Sequence, residues 1–274
     1  LRALAYADRG PRTSARGPVR LRARDAAFRA GPQRGAPVLV RDVDLELNAG
    51  TVTALIGANG SGKTSLLLGL AGLLPRAAGT VDAEAGAGMV FQFPERQFLT
   101  RSVAAEVGYG LRGRPDADAR VAATLRRFDL EPLAGADPFR LSGGQQRRLS
   151  IAAVAALEPG VLLLDEPTFG QDRAHALSVG DSLVELAAGG AAVAFSTHDL
   201  RLAGLVADRV VVVRGGRVAA SGPTEEVLRD GALLRSAGLR RPRLLDWWAA
   251  QDGVPLRGLL TALRRGVAAE VSVA

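Results

Sequence analysis

The sequence predicts an α/β domain built on a largely parallel β-sheet. Short apolar runs of strand length alternate along the chain with segments of helical character, an order typical of a parallel sheet covered by helices. Of the 274 residues 47% are hydrophobic, so the chain can fill a sizeable core and general disorder is excluded. No uninterrupted apolar run approaches the roughly 20 residues that a bilayer-spanning helix needs.

Six strands and three helices are predicted in order along the chain. The first two strands alternate in polarity, whereas the later ones are short and nearly all apolar, as buried strands are. The predicted strands are Val19–Phe28, Val38–Leu47, Thr51–Ile56, Val161–Leu164, Ala191–Phe195 and Val210–Val213. The predicted helices are Ser65–Leu74, Asp116–Phe128 and Ser142–Leu157.

Composition and charge distinguish the two ends of the chain from its body. Residues 1–18 are expected to form an irregular, Arg-rich lead-in, and residues 238–274, which contain Trp247-Trp248, a small helical appendage. The net charge is +7 over residues 1–37 and +5 over residues 235–265, which leaves −5 elsewhere. Basic ends suit an anionic lipid or a partner at least as well as a nucleic acid, so no nucleic-acid partner is expected. The absence of Cys excludes disulfides and thiolate metal sites.

A phosphate-binding loop is predicted between the third strand and the first helix. Gly57-x4-Gly62-Lys63-Thr64 matches the P-loop pattern, in which glycines let backbone N–H groups surround phosphate oxygens at a helix N-terminus. Lys63 is the only lysine among 35 basic residues, as expected of a position that requires an ammonium group. Lys63 is expected to reach the β- and γ-phosphates, and the Thr64 hydroxyl to hold Mg²⁺. The predicted nucleotide-binding residues are Gly57, Ala58, Asn59, Gly60, Ser61, Gly62, Lys63, Thr64 and Ser65.

Two acidic residues and a second glycine-rich motif complete the predicted chemistry. The strand Val161–Leu164 delivers Asp165 to its carboxyl end, where a second contact to Mg²⁺ is expected. Glu166 follows and is expected to act as the general base toward the attacking water. The motif Leu141-Ser142-Gly143-Gly144-Gln145 opens a predicted helix and forms a second potential phosphate site. Two phosphate cradles with one P-loop indicate that one cradle faces another subunit.

The P-loop paired with this second motif resembles the ATP-binding cassette (ABC) ATPases, over a region from about Val19 to Thr224. The resemblance implies a P-loop NTPase fold across residues 19–237, with an N-terminal antiparallel β part and a helical signature subdomain at roughly residues 93–157. It also implies ATP and Mg²⁺ as cofactors, and a dimer of two cassettes that encloses two ATP molecules.

Further site residues follow from the same resemblance. Gln92 looks like the Q-loop glutamine, which senses Mg²⁺ and couples to the membrane partner. Asp172 looks like the D-loop aspartate that touches the opposite subunit, and His198 like the switch histidine that contacts the γ-phosphate. His175, the other histidine of the chain, has no such context and is expected on the surface.

Two positions depart from the family pattern. The slot that usually holds an aromatic residue under the adenine contains Ala30, so weak discrimination among nucleotides is expected unless Phe28 stacks on the base. The D-loop contains Gln171 where leucine is usual.

The segment Phe91–Phe98 is similar to a segment of energy-coupling factor (ECF) transporter ATPases, the group that imports vitamins and cobalt or nickel. This resemblance implies a subunit at the cytoplasmic face of the cell membrane. Its expected partners are a second ABC ATPase subunit, a transmembrane subunit and a separate substrate-binding membrane subunit.

The same segment is expected to receive a helix of the transmembrane subunit. Phe91 and Phe93 continue an apolar run and are expected to pack in the core, whereas the residues after Pro94 leave the strand. The expected docking patch consists of Glu95, Arg96, Phe98 and Leu99.

Other functions remain open within the ABC class. Another importer or an exporter shares every core motif. A soluble, non-transport ABC ATPase is disfavoured, because ribosome-acting members carry two cassettes and chromosome-type members insert a long coiled coil before the signature. A P-loop GTPase is excluded, because its guanine-reading Asn-Lys-x-Asp needs a lysine other than Lys63.

Overall fold

The computed structural model describes residues 17–271, with side chains described up to Arg264. The lead-in expected at residues 1–18 therefore falls almost wholly outside the described residues. The described strands are β1 (Val19–Arg29), β2 (Val38–Asn48), β3 (Val52–Ile56), β4 (Arg76–Ala83), β5 (Ala87–Val90), β6 (Val161–Leu164), β7 (Ala192–Thr197), β8 (Arg209–Arg214) and β9 (Arg217–Pro223). The described α-helices are α1 (Lys63–Leu70), α2 (Val103–Gly108), α3 (Ala117–Arg127), α4 (Gly143–Ala155), α5 (Arg173–Ala188), α6 (Leu200–Val206), α7 (Thr224–Arg229), α8 (Gly231–Ser236), α9 (Arg243–Ala249) and α10 (Leu256–Val271).

The strands form two sheets. One is antiparallel, with the order β2-β1-β4, and the other has the order β5-β6-β7-β3-β8-β9. The first five strands of the larger sheet are parallel, and β9 runs antiparallel to β8. The predicted α/β class, with a mostly parallel core sheet and an antiparallel N-terminal part, is confirmed. The predicted strands do not include β4, β5 and β9, because all three are edge strands with few buried apolar residues.

The larger sheet is buried on both faces, which explains its nearly continuous apolar strands. Along β6, Leu162 and Leu164 face one core cluster, which includes residues of α2 to α6. Val161 and Leu163 point the other way, into a cluster shared with α1 and the antiparallel sheet. Packing against a core cluster on each face therefore fixes the positions of these strands and of their ends.

The C-terminal helices α9 and α10 pack onto this core. Trp248 of α9 is fully buried, and its Nε1 donates to the backbone oxygen of Val254 at 2.7 Å. Leu256 of α10 packs so closely on α6 that a Cβ at Gly204 would lie 2.8 Å from its Cδ2. Arg264 forms a bidentate ion pair with Asp181 of α5, at 2.8 and 2.6 Å. The segment from residue 238 is helical in the structure, and its buried apolar residues belong to the same core cluster as those of α2 to α6.

Candidate active site

The predicted catalytic residues lie at one edge of the larger sheet. Gln92 follows β5, Asp165 and Glu166 follow β6, the P-loop follows β3, and His198 follows β7. These four strands are neighbours in the order β5-β6-β7-β3, and all are parallel. Since the carboxyl ends of parallel strands meet at one edge, residues far apart in sequence converge there.

The P-loop wraps around the ammonium group of Lys63. Lys63 begins α1, is buried, and its Nζ donates to the carbonyl oxygens of Gly57 at 2.9 Å and Ala58 at 3.2 Å. Gly62 has a φ of 106°, a conformation that side chains disfavour. A Cβ at Gly57 would lie 2.3 Å from the carbonyl oxygen of Val213, so this glycine is required by close packing. The loop is thus preformed around a fixed positive charge.

A hydroxyl and a carboxylate meet beside the loop. Thr64 Oγ1 donates to Asp165, with distances of 3.1 and 2.9 Å to its two carboxylate oxygens. Ser196, at the end of β7, donates from Oγ to Asp165 Oδ1 at 2.7 Å. Ser196 Oγ also accepts a hydrogen bond from the backbone N–H of Glu166 at 2.8 Å. This buried serine was not identified from the sequence, and it holds both acidic residues.

The Thr64 and Asp165 oxygens fit a magnesium ion that also binds phosphates. Mg²⁺ prefers hard oxygen ligands, and it usually takes one or two protein ligands in addition to phosphate oxygens and water. Within residues 17–271, no group of three or more His, Cys, Asp or Glu side chains is placed to hold a metal by itself. The donor set therefore suits a metal that arrives with a nucleotide.

Glu166 is buried between two nitrogen-bearing side chains. Its Oε2 lies 3.1 Å from Nδ1 of the half-exposed His198, and its Oε1 lies 4.0 Å from Nζ of Lys63. Its backbone has a φ of 44°, unusual for a residue other than glycine. Backbone strain of this kind is concentrated at functional sites, where the surrounding structure maintains it. The carboxylate of Glu166 therefore lies next to Lys63, near the end of the P-loop.

Gln92 is held through its backbone by the signature helix. Arg147 of α4 is only 2% exposed, and its Nη1 donates to the carbonyl oxygen of Phe91 at 2.8 Å while Nη2 donates to that of Gln92. Burial lowers the pKa of Arg147 to about 10, although the charges of Glu95 and Asp165 oppose this shift. The guanidinium therefore remains protonated at neutral pH.

The signature motif forms the N-terminus of α4. Ser142 caps the helix, because its Oγ accepts a hydrogen bond from the backbone N–H of Gln145 at 3.3 Å. In turn, Gln145 Oε1 accepts a hydrogen bond from the backbone N–H of Ser142 at 2.9 Å. A Cβ at Gly144 would lie 2.7 Å from the ring of His175 on α5. His175 is exposed, and it lies against the signature motif, a contact that its sequence context does not predict.

Asp172 occupies the N-cap of α5. Its Oδ1 accepts from the backbone N–H of His175 at 2.9 Å, and its Oδ2 lies 2.7 Å from His175 Nδ1. These hydrogen bonds, the backbone one first, hold the pKa of Asp172 below its ordinary value. The predicted D-loop residue is accordingly charged and exposed, and it is joined to the histidine that touches the signature motif.

The position expected to stack on adenine offers no aromatic ring. Ala30 follows the end of β1 and is exposed. Phe28 is 1% exposed, and a Cβ on Gly69 of α1 would lie 2.3 Å from its ring. Phe28 therefore fills the core between β1 and α1 and cannot stack on a base.

In the aromatic segment after β5, the residues that are buried and those that are exposed differ from the expectation. Phe91 and Phe93 are 39% and 37% exposed, whereas Phe98 is 8% exposed and its ring meets Phe139 edge-on, with centroids 5.8 Å apart. The expectation was wrong because β5 ends at Val90, and the 3-10 turn at Pro94–Arg96 redirects the chain. The exposed members of the segment are Phe91, Phe93, Glu95, Arg96 and Leu99, which we call the aromatic patch.

Comparison with known proteins defines the class. The ABC transporter family model matches residues 40–169. The nickel import ATP-binding protein NikO of Rhodobacter capsulatus is 43% identical over 233 residues, which cover 75% of this chain and 91% of NikO. The chain belongs to the ABC transporter family, in which it is an ATP-binding protein.

Further similarities lie within one branch of that family. The energy-coupling factor transporter ATP-binding protein EcfA of Methanothermobacter thermautotrophicus is 36% identical, with coverage of 77% of this chain and 74% of EcfA. The matched region spans only 43% of YkoD of Bacillus subtilis, which is named for HMP/thiamine import. The structure of CbiO1 from Clostridium perfringens, described as part of the complex CbiONQ, superposes with a TM-score of 0.70. It is 28% identical and covers 84% of this chain and 98% of CbiO1.

Proposed function

We propose that this chain binds and hydrolyses ATP to energise an ECF-type importer of a vitamin or a transition-metal ion. The observation that carries the proposal is the aromatic patch, whose exposed residues lie on both sides of the Q-loop glutamine in sequence. The names of the similar proteins, which refer to nickel import, energy coupling and a transporter complex, support the same branch.

In the proposed mechanism the P-loop binds the phosphates of ATP. Lys63 exchanges its contacts with Gly57 and Ala58 for phosphate oxygens, and the start of α1 adds backbone N–H groups. Thr64, Asp165 and Gln92 are the residues that would hold Mg²⁺, and the bound ion would neutralise charge on the phosphates. Ser196 keeps the Asp165 carboxylate oriented toward Thr64.

Hydrolysis is assigned to Glu166 and His198. Glu166 accepts a proton from the attacking water, and burial keeps competing solvent away from the carboxylate. His198 is positioned by its contact with Glu166 and, being half exposed, is available to the γ-phosphate. The two residues act as a unit, because each restricts the orientation of the other.

A second cassette completes each ATP site in this proposal. The glycines of the signature motif have near neighbours at Gln171, just before α5, and at His175 on α5, and Ser142 and Gly143 are exposed. An exposed, capped helix N-terminus with glycines is suited to bind a phosphate supplied by another subunit. Asp172 lies beside it and contacts the partner cassette at the same interface.

The aromatic patch is the proposed docking surface for a helix of the transmembrane subunit. Phe93 packs edge-on against the exposed Phe169, with ring centroids 6.2 Å apart, and the guanidinium of Arg96 lies 4.7 Å from the Phe93 ring. Glu95 and Arg96 add one charge of each sign at the rim. Apolar anchors with charged neighbours are typical of a groove that receives an amphipathic helix.

This proposal places the chain at the cytoplasmic face of the membrane, held there by its partners. Within the described residues no helix is both long and apolar enough to cross a bilayer. A separate membrane subunit that selects the solute completes the proposed complex, so this chain itself does not determine which vitamin or metal is carried.

The test is co-purification with an ECF-type transmembrane subunit after co-expression. Phe93→Ala combined with Glu95→Ala is expected to abolish recovery of that subunit while ATP binding stays within about threefold of the unmodified chain. Leu73→Ala with Glu84→Ala is the matched control, because both residues are exposed and lie away from the patch. Recovery of the subunit at unchanged yield by the patch variant contradicts the ECF assignment and leaves another ABC importer or an exporter as the alternative.

A further inference from the structure

Arg147 is the largest charged side chain buried in the described part of the protein. It lies on α4 two residues after the signature motif ends, and it is 2% exposed. Burial of a guanidinium is costly unless its donors are satisfied. The carbonyl oxygens of Phe91 and Gln92 accept from Nη1 and Nη2, whereas Nε has no hydrogen-bond partner in the described structure. The buried charge of Arg147 therefore makes two hydrogen bonds, both to backbone carbonyl oxygens.

These two contacts join parts of the site that are far apart in sequence. Gln92 lies two residues beyond the end of β5, and Arg147 is on the helix whose first turn is the signature motif. A third hydrogen bond links the same two segments, since Ser150 Oγ donates to Gln97 Oε1 at 3.3 Å. Any tilt of α4 therefore moves the backbone of the Q-loop, because the guanidinium fork grips two successive carbonyls.

We propose that Arg147 is a positioning residue that fixes Gln92 and transmits displacement of the signature helix to it. Resting on the ATPase function proposed above, this inference assigns the connection between the signature site and the Q-loop to one side chain. The geometry requires arginine rather than lysine, because a planar guanidinium donates to two carbonyls at once whereas an ammonium group is a single point donor. Removal of the fork releases Gln92 without altering the P-loop.

The first arm of the test is a double-mutant cycle on ATP turnover. Arg147→Lys is expected to lower kcat by about ten- to a hundredfold, since small misplacements of a positioned group have effects of this size. KM for ATP is expected to stay within twofold. In a Gln92→Ala background, Arg147→Lys is expected to cause no further loss of kcat. Arg148→Lys is the matched control, because Arg148 has a single long bond, 3.5 Å, to the Phe128 carbonyl, and it is expected to leave kcat unchanged.

The second arm needs no hydrolysis. Amide hydrogen exchange in Arg147→Lys is expected to rise in residues 91–97 and to stay unchanged in residues 57–65. If Arg147→Lys does not fold, Arg147→Gln takes its place, because glutamine is uncharged and retains an amide donor. It is likewise expected to raise exchange in residues 91–97 and to leave it unchanged in residues 57–65. Faster exchange at 91–97 in a chain that hydrolyses no ATP supports the positioning role and counts against the proposed function. Additive losses of kcat, or unchanged exchange at 91–97, overturn the role of Arg147.

Discussion

Replacing Glu166 by Gln is expected to remove most ATP turnover and to leave ATP binding intact. Gln has the same length and branching as Glu, so it fits the buried site between His198 and Lys63. The hydrogen bond to Ser196 is retained, because it comes from the backbone N–H of residue 166. The change therefore removes a proton acceptor and a charge with little effect on the packing around them.

The size of the effect follows from the role assigned to this carboxylate. A positioned general base contributes about 10²- to 10⁴-fold to a rate, which corresponds to roughly 2.7–5.4 kcal/mol of transition-state stabilisation. ATP affinity is expected to stay within about threefold or to improve. The reason is that a negative charge 4.0 Å from the Lys63 ammonium is lost, whereas Lys63 itself, which binds the phosphates, is unchanged.

The assay combines phosphate release at saturating ATP with equilibrium binding of a fluorescent ATP analogue. Size-exclusion chromatography with ATP is expected to show a stable dimer of the Glu166→Gln chain. Glu158→Gln is the matched control, since Glu158 also has a positive φ, 50°, but is exposed and pairs with Arg120. Turnover of the Glu166→Gln chain within a few-fold of the unmodified protein would refute the assignment of the base.

Three further predictions concern single positions. Ala30→Tyr is expected to tighten ATP binding several-fold and to raise discrimination against CTP, measured by competition binding, because an aromatic face contributes about 0.5–1.5 kcal/mol; unchanged affinity contradicts this. Leu256→Ala is expected to lower the free energy of unfolding by about 2–5 kcal/mol in urea titrations, whereas Leu263→Ala, at an exposed position, is expected to change it little; equal effects would contradict the packing of Leu256 in the core. Gly144→Ala is expected to lower the melting temperature more than Gly143→Ala, because its Cβ would lie 2.7 Å rather than 3.9 Å from the nearest atom; similar shifts would contradict that packing.

The phosphate-binding elements could be predicted because their chemistry is contiguous in sequence. A loop that surrounds phosphates needs glycines, a lysine and a hydroxyl within eight residues, Gly57–Thr64, and the strand and helix on either side are short-range features. The pair Asp165-Glu166 is recognisable for the same reason, since it directly follows an apolar strand. The central strands were likewise predictable, because burial on both faces favours an apolar side chain at most positions.

The surface of the Q-loop segment could not be predicted in the same way. Phe93 and Phe98 are chemically identical, and only the turn at Pro94–Arg96 decides that Phe98 meets Phe139 while Phe93 faces outward. The sequence left Phe28 open as a base-stacking residue, but its ring packs against Gly69 in the core. In both cases the residue that the buried ring contacts, Phe139 or Gly69, is distant in sequence, so local polarity carries no information about that contact.

The sequence by itself determined the fold class, the P-loop, the acidic pair and the family to which these motifs belong, because each depends on residues close together in the chain. The tertiary structure alone decided how those motifs are held: Ser196 beneath Asp165, Arg147 on the carbonyl of Gln92, and Trp248 inside the core. A buried serine, arginine or tryptophan has no local signature, since its environment is created by strands and helices dozens of residues away. Long-range packing therefore converts a recognisable set of motifs into a site with defined distances and charges.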